Sequence, residues 1–230
     1  TVTGVQTCTL PISTNLCGVG RVVFRAWTAV DACLNATSCV QAIVIRDTTP
    51  PTISCPSDLT LECGANTSPS ATGFATATDL SGFASVTNAD TITQGCGSTF
   101  TISRRWTAFD ACGNTASCVQ TITVRDTTPP VMTCPSAVTL ECPATPSTNL
   151  TGVATATDTC GAVSISFSDS VGTLCGNARV ITRTWRATDA CGNQSTCAQI
   201  ITVRDTTPPS LTIPPATTVE CGGSTAAAAT

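Results

Sequence analysis

WTAFDACGNTASCVQTITVRDTTPP, from Trp106 to Pro130, is the stretch that decides the fold. Nearly the same letters run from Trp27 to Pro51 and from Trp185 to Pro209, so the copies begin at positions 27, 106 and 185, with a constant period of 79. A fixed period of this length indicates a tandem array of one structural module. Within the stretch, an Asp-Ala-Cys-Gly-Asn turn lies between segments rich in Thr, Val and Ile, which predicts a β-hairpin.

The period divides the chain into two complete repeats, residues 47–125 and 126–204. Residues 1–46 correspond to the closing part of a repeat, and residues 205–230 to the opening part of another. Each complete repeat contains six or seven short segments rich in Thr and Val, and no segment has a sustained helical apolar period. This pattern predicts an all-β fold, a tandem series of small immunoglobulin-like β-sandwiches.

One Trp occupies the same strand position in each copy, and we expect it to anchor the core: Trp27, Trp106 and Trp185. An Arg precedes each Trp by two residues and therefore lies on the same face of the strand. We expect its guanidinium to stack on the indole ring.

The composition excludes whole classes of function. The chain has no His and no Lys, so all ten basic residues are Arg. This rules out Ser-His-Asp and Cys-His catalysis, imidazole metal sites and Lys Schiff bases. A net charge of -4 leaves no basic surface to neutralise phosphates, so we expect no nucleic-acid partner. The same acidic residues return in every repeat, which favours structure over a single active site, and we expect no enzyme.

Sixteen cysteines predict disulfides and an oxidising compartment. The spacings C-x5-C and C-x7-C recur, whereas the C-x2-C pairs typical of zinc sites do not occur. We therefore expect an extracellular protein, secreted or at the cell surface. The apolar runs are strand-sized, so no membrane insertion is expected in this segment. The chain starts without a Met, which suggests processing from a longer polypeptide.

Several motifs are similar to those of hyalin-type (HYR-like) repeats. They are Thr-Ala-Thr-Asp (Thr155 to Asp158), Trp-x-Ala-x-Asp-Ala-Cys-Gly-Asn (from Trp106 and from Trp185), and Asp-Thr-Thr-Pro-Pro followed by Cys-Pro. The chain most resembles the cysteine-rich variant found in tandem on extracellular and surface proteins. The resemblance implies an immunoglobulin-like fold and a role in adhesion or extracellular architecture, with no catalytic residues. Leu34 departs from the pattern, because Gly113 and Gly192 stand at the equivalent positions.

The cysteine count leaves the connectivity open. Residues 126–204 hold six cysteines, which allow 15 arrangements, whereas residues 47–125 hold five because Ser81 stands at the position of Cys160. If Cys160 bonds Cys175, then Cys96 is unpaired or bonds another chain. The pairs that we favour are Cys55–Cys118, Cys134–Cys197, Cys63–Cys112, Cys142–Cys191, Cys160–Cys175 and Cys8–Cys17.

The linker Arg-Asp-Thr-Thr-Pro-Pro joins consecutive repeats, and its two prolines predict a short, stiff spacer. The alternative is calcium at Asp47, Asp126 and Asp205, because carboxylates at a seam between modules are ligands that calcium prefers. Asp110 or Asp189, together with Glu62, Glu141 or Glu220, would complete such a site. Stiffening is the favoured interpretation.

Four Asn-x-Ser/Thr sequons are candidate glycosylation sites: Asn35, Asn66, Asn149 and Asn193. A chain so rich in Ser and Thr generates sequons by chance, so the signal is weak. O-linked sugar on exposed hydroxyls would fit the low charge.

These observations predict a structural or adhesive extracellular protein, a rod or filament of disulfide-linked immunoglobulin-like units. Residues 1–46 and 205–230 together hold nearly one repeat. Either the chain is cut from a longer array, or strands at the end of one copy complete the start of the next, as in donor-strand exchange. The expected partners are copies of the chain itself or neighbouring repeats, and glycans. The alternative is a carbohydrate- or protein-binding adhesin module displayed on a stalk.

Overall fold

The computed structural model describes residues 7–8, 12–80, 82, 85–174, 176–213, 215–216, 218 and 221. The chain forms two compact units. The first contains Thr1–Thr133, Thr155–Ser166 and Arg186–Thr196, and the second contains Cys134–Ala154, Phe167–Trp185 and Cys197–Thr230. No helix among the described residues has the length and apolar character needed to cross a membrane.

The described part of the chain is almost entirely β-strand. The strands are β1 (Thr7–Cys8), β2 (Ile12–Asn15), β3 (Arg21–Val30), β4 (Ala36–Ile45), β5 (Thr52–Ser54), β6 (Leu59–Glu62), β7 (Thr76–Thr78), β8 (Ser85–Gln94), β9 (Phe100–Phe109), β10 (Thr115–Arg125), β11 (Val131–Thr133), β12 (Val138–Glu141), β13 (Thr155–Thr157), β14 (Val163–Thr173), β15 (Arg179–Asp189) and β16 (Gln194–Arg204). Two one-turn helices interrupt them, α1 (Pro69–Thr72) and α2 (Thr148–Thr151). Neither helix is expected from the sequence pattern.

In the first unit, residues 47–125 form two sheets. One sheet has the order β6-β10-β9-β8, and the other pairs β5 with β7. Strand β9 lies antiparallel to both β8 and β10, whereas β6 joins β10 in parallel. A disulfide between Cys55, directly after β5, and Cys118 on β10 ties the two sheets together. The predicted fold class, an all-β immunoglobulin-like fold held by disulfides, is confirmed.

Alternation along β9 explains which face is buried. Ile102, Arg104, Trp106 and Ala108 are buried, and the residues between them are more exposed. Successive strand residues point to opposite faces, so these four side chains share the face that covers the core. Ile122 and Val124 on β10 are buried on the same side of the sheet. Trp106 therefore lies in the core, as the sequence analysis expects.

Residues 126–204 form a second four-stranded sheet, with the order β12-β16-β15-β14. Its core contains Ile181, Ile201 and Val203, with the partly buried Val138 and Leu140 packed against them. Trp185 is also buried, and its indole N–H donates to Oε1 of Gln199 (3.4 Å).

A buried Gln satisfies backbone carbonyls beside each one-turn helix. Gln120, fully buried on β10, donates its two amide hydrogens to the carbonyls of Ser57 and Thr72. Gln199 on β16 donates in the same way to Ser136 and Thr151. Since a buried carbonyl without a partner is costly, the Gln side chain stabilises a loop and a helix end together.

A buried Arg forms an ion pair on the core face of the two four-stranded sheets that contain β9 and β15. Arg183 donates to both carboxylate oxygens of Asp169 (2.8 Å each), to Thr151 Oγ1 (2.9 Å) and to the Pro146 carbonyl (2.9 Å). Its guanidinium also lies over the rings of Phe167 (4.2 Å) and Trp185 (5.8 Å). The expected stacking on the indole is therefore present here, and a carboxylate partner is added.

Arg104 repeats this arrangement with Asp90, Thr72 and Thr67 in the first unit. The hydrogen bond from Arg104 holds the pKa of Asp90 below its ordinary value. The bond between Arg183 and Asp169 lowers the pKa of Asp169 in the same way.

Residues 7–45 form a sheet with the order β1-β3-β2, and β4 pairs with β3. Trp27 on β3 is half-buried, in contrast to Trp106 and Trp185. The guanidinium of Arg25 lies 5.7 Å from the centre of the Trp27 ring.

Candidate functional site

The turn between β9 and β10 is a compact loop organised by one carboxylate. Oδ1 of Asp110 accepts from the backbone N–H groups of Cys112 and Asn114 (2.8 Å each), and Oδ2 accepts from the Asn114 side chain (2.7 Å). The same Asn114 amide donates to the carbonyl of Asp47 in the linker (3.4 Å). Burial raises the pKa of Asp110, but the hydrogen bonds from Asn114, Cys112 and Gly113 outweigh it and leave the pKa lowered.

The same loop recurs at the other hairpins. Asp189 accepts from Cys191 and Asn193, and Asn193 donates onward to the carbonyl of Asp126 (3.3 Å). In the first copy Asp31 accepts from Cys33 and Asn35. Leu34 adopts φ 68° there, a left-handed conformation that Gly takes at little cost. The turn therefore forms with Leu34 at the position of the glycine, although a positive φ is strained for a leucine.

Two disulfides attach these loops to β-turns elsewhere in the first unit. Cys112 bonds Cys17, and Cys191 bonds Cys96, with Cα atoms 4.9 and 5.1 Å apart. Each bond spans 95 residues of sequence. Because this separation exceeds the repeat period, each bond joins a cysteine of one sequence repeat to a cysteine of the next.

This connectivity corrects three expectations. Cys96 is bonded rather than unpaired, and Cys112 and Cys191 are not bonded to Cys63 and Cys142. The physical reason is strand length. The Cys63 N–H donates to the carbonyl of Arg125 at the far end of β10, whereas Cys112 precedes the start of that 11-residue strand. The two ends of such a strand are about 30 Å apart, and a disulfide needs Cα atoms within about 7 Å.

The same argument separates Cys142 from Cys191. The Cys142 N–H donates to the carbonyl of Arg204, the last residue of β16, and Cys191 precedes the first.

The remaining expected pairs have different outcomes. The structure contains the first-strand to last-strand bonds Cys55–Cys118 and Cys134–Cys197. Cys17 bonds Cys112, so it is not available to Cys8, whose side chain lies outside the described residues. Cys175 also lies outside the described residues, and Cys160 is a buried free thiol.

The linker is held by a glutamate at the end of β6. Glu62 accepts from the backbone and hydroxyl of Thr127 (2.6 and 3.1 Å) and from the hydroxyl of Thr128 (3.2 Å). These bonds, led by the Thr127 N–H, hold the pKa of Glu62 below its ordinary value. Glu141 accepts from Thr206 and Thr207 in the same manner. The glutamates considered as calcium ligands therefore bind the linker backbone.

Two side-chain clusters include the aspartates considered for calcium. Atoms of Asp47, Asp79 and Asp110 lie within 4.8 Å of one another, as do atoms of Asp126, Asp158 and Cys160. Calcium takes six to eight oxygen ligands. The first cluster offers three carboxylates and the second offers two. The geometry alone does not make either cluster a calcium site. Asp205 accepts from the N–H of Thr207 (3.0 Å), and Glu220 lies outside the described residues.

The four sequons lie in different environments. Asn66 and Asn149 are exposed. Asn35 is exposed as well, but its side-chain amide donates to Asp31 (2.9 Å). Asn193 is partly buried and both hydrogens of its amide have acceptors, so attachment of sugar there would break two hydrogen bonds.

Sequence reasoning missed the links between repeats, because the cysteine spacing fits two solutions. The pairs Cys17/Cys112 and Cys96/Cys191 have the same spacing, and each member recurs with the repeat period. Pairing that crosses a repeat boundary satisfies this spacing as well as pairing within a repeat does. Asp90 and Asp169, the partners of the buried Arg residues, are also one period apart and were not singled out.

Several solved structures are similar to this chain at low identity. They include protocadherin gammaB7 EC3-6, a cis-dimer structure (14% identity, 80% of this chain and 58% of that chain, TM-score 0.35), Drosophila N-cadherin EC1-4 (12%, 86% and 59%, 0.35) and mouse clustered PcdhgC3 EC1-3 (12%, 81% and 77%, 0.32). The chain thus spans less than two thirds of the first two structures. No curated protein matches it.

A family match covers the first complete repeat. Residues 46–124 match the HYR domain, and its bounds fall one residue before those drawn from the period. The matched residues include the first of the two sandwich arrangements described above and the Asp110 loop. The resemblance to HYR-like repeats is therefore confirmed by the match of residues 46–124 to the HYR domain.

Proposed function

We propose that this is a structural or adhesive extracellular protein whose tandem repeats are cross-linked into a rod or filament. The observation that carries the proposal is the pair of disulfides that each span 95 residues, Cys17–Cys112 and Cys96–Cys191. Since each bond is longer in sequence than one period, tension between repeats is carried by covalent bonds as well as by the linker. Disulfides of this kind persist in oxidising compartments, which supports an extracellular location.

We further propose that copies join head to tail by strand complementation. The head is residues 1–46 and the tail is residues 205–230. Ile45 in the head is 38% exposed, whereas its equivalents Val124 and Val203 are 3% and 0% exposed. Leu211 and Ile213 in the tail are 89% and 81% exposed. Burial of these apolar side chains against each other would stabilise the contact by about 25 cal/mol per Å² of buried surface.

The position of Leu211 supports this assignment. It stands one period after Met132, which lies on β11 and is partly buried. Directly after β11, Cys134 bonds Cys197 on β16. Ile213 in the tail and Cys39 in the head stand at the equivalent positions. A tail that adds its strand to the head of another copy would place Leu211 where Met132 lies in a complete repeat.

The test compares the full chain in oxidising buffer with a chain that ends at residue 204, by light scattering and negative-stain electron microscopy. Full chains are expected to form filaments, and the shortened chain is expected to remain monomeric. Leu211→Asp should weaken assembly, whereas the control Leu80→Asp, at a fully exposed leucine, should not. Filaments that persist without residues 205–230 would contradict strand complementation. Monomers of the full chain would favour the alternative, a binding module displayed on a stalk.

A further inference from the structure

We propose that Cys63 and Cys160 form a disulfide in the oxidised protein, a cross-link between the repeats at residues 47–125 and 126–204. Both cysteines belong to the first unit, and both are free thiols in the structure. The inference does not depend on filament formation, since it concerns one chain.

Backbone hydrogen bonds place Cys63 beside the linker. Its N–H donates to the carbonyl of Arg125 (2.9 Å), directly before Asp126. Glu62, the preceding residue, accepts from Thr127 and Thr128 on the other side of Asp126. The Cys63 side chain is partly buried there.

The Cys160 loop is held against the same place. Sγ of Cys160 lies within 4.8 Å of carboxylate oxygens of Asp126 and Asp158. The Cys160 N–H donates to Asp158 (2.7 Å), and its carbonyl accepts from the N–H of Ser98 (2.7 Å). A Cβ on Gly97 would meet that carbonyl at 2.5 Å, so the two loops are in close contact.

Cys63 and Cys160 are therefore both held at the segment Arg125–Asp126, and Cys63 lies close enough to Cys160 to perturb its thiol. Cys160 is 3% exposed. Burial raises the pKa of the Cys160 thiol to about 12, and the neighbouring Cys63 side chain contributes in the same direction. A thiol in this state reacts slowly with external reagents, so Cys63 is the one that reacts first.

The chemistry needs an external disulfide, R–S–S–R, as oxidant. The Cys63 thiolate attacks one sulfur, forms a mixed disulfide and releases the first R–S⁻. Cys160 loses its proton and attacks the Cys63 sulfur, which forms the Cys63–Cys160 bond and releases the second R–S⁻. In total, two protein thiols lose two electrons and two protons, and the external disulfide becomes two thiols.

Cys142 provides a matched control, since it stands one period after Cys63. Its thiol donates to the backbone carbonyl of Asn177 (3.6 Å). The two residues share their position in the repeat and their partial burial, but they differ in the group that the thiol contacts.

The test is sequential labelling of the full chain after treatment with oxidised glutathione. Free thiols are alkylated with iodoacetamide in guanidinium and EDTA, the disulfides are then reduced, and the released thiols are labelled with N-ethylmaleimide. Peptic peptides are identified by mass spectrometry, because the Arg-limited tryptic peptides are already joined by the other disulfides. Cys63 and Cys160 are expected to lose the first label and carry the second, and the unreduced digest should contain a peptide pair joined through them.

Variants give the second arm. In Cys63→Ser, Cys160 should remain a free thiol and carry iodoacetamide. Cys142→Ser should leave the labelling of Cys63 and Cys160 unchanged. Iodoacetamide on Cys160 of the unaltered chain would overturn the proposal. Guanidinium and EDTA release any bound metal ion, so a thiol protected by metal rather than by a disulfide would also be alkylated. A bond from Cys160 to Cys175 would overturn it as well.

Discussion

Removal of the Asp169 carboxylate tests whether the buried Arg of each complete repeat is a central element of the fold. Asp169→Ala removes two charge-assisted hydrogen bonds of 2.8 Å, and leaves the guanidinium of Arg183 with Thr151 and Pro146 alone. The side chain of Arg183 is 3% exposed, and that of Asp169 is 27% exposed. The charge that remains after the substitution is therefore the more deeply buried of the two.

The expected cost is about 3 kcal/mol of unfolding free energy. Each hydrogen bond to a charged group contributes about 1.5–3 kcal/mol, so two bonds give about 3–6 kcal/mol. The partial exposure of Asp169 places the value at the low end, because water replaces part of the lost interaction. Breaking a buried pair by removal of one partner costs about 3–5 kcal/mol in other proteins, which agrees. The double variant Asp169→Ala, Arg183→Met should be less destabilised than Asp169→Ala alone, since no unpaired charge remains.

Guanidinium denaturation of the oxidised chain measures these free energies. Trp27→Phe and Trp106→Phe in every sample leave Trp185, which lies beside Arg183, as the fluorescent reporter. Arg105→Gln is the control, because Arg105 makes one exposed hydrogen bond of 3.2 Å, and it should change stability by less than about 0.5 kcal/mol. If Asp169→Ala changes stability no more than this control, the ion pair is a solvated surface contact and the reasoning is wrong.

Three further predictions concern pH, a disulfide and a glycine. The hydrogen bond from Arg183 lowers the pKa of Asp169. The ionised carboxylate therefore stabilises the folded state above the unfolded pKa of about 4, and this stabilisation is lost as the pH falls through the lower folded pKa. Acid titration followed by fluorescence should show the loss of stability, and the Asp169→Ala variant should lack this pH dependence. Cys134→Ser with Cys197→Ser opens a 63-residue loop and should cost up to about 4 kcal/mol in guanidinium denaturation. Gly97→Ala, at φ +54°, should accelerate hydrogen exchange at the following amide, since its Cβ would meet a carbonyl at 2.5 Å. Gly113→Ala, at φ +84° with open space, adds backbone strain alone and should accelerate exchange less; equal effects would contradict the contact.

Local patterns were sufficient to predict the fold class. Thr- and Val-rich segments, the fixed period and one Trp in each copy predict a small β-sandwich, and Trp106 and Trp185 lie in the cores. The cross-links Cys55–Cys118 and Cys134–Cys197 fit the same logic, because they join the first and last strands of one module. Such features depend on neighbours along a strand or within a sheet, and alternation along the sequence reports them directly.

The buried polar groups were harder to predict. Arg104 was placed on the core face by its spacing from Trp106, but its partner Asp90 lies on the adjacent strand in direct register. Register between strands is set by packing, and a single sequence reports it weakly. The helix α1 is one turn long and supplies the hydroxyl of Thr72 to the same Arg, so it forms through tertiary contacts rather than through a helical period.

The links between repeats could not be predicted from the period, and the reason is a property of any periodic sequence. Cys112 stands one period after Cys33, so a bond from Cys17 to either one satisfies the same pattern. Strand length decides between them. Cys96 precedes β9 and Cys112 follows it, and this ten-residue strand holds them about 30 Å apart, well beyond the reach of a disulfide. Cys96 therefore cannot bond Cys112, and in the structure its partner is Cys191 in the next repeat.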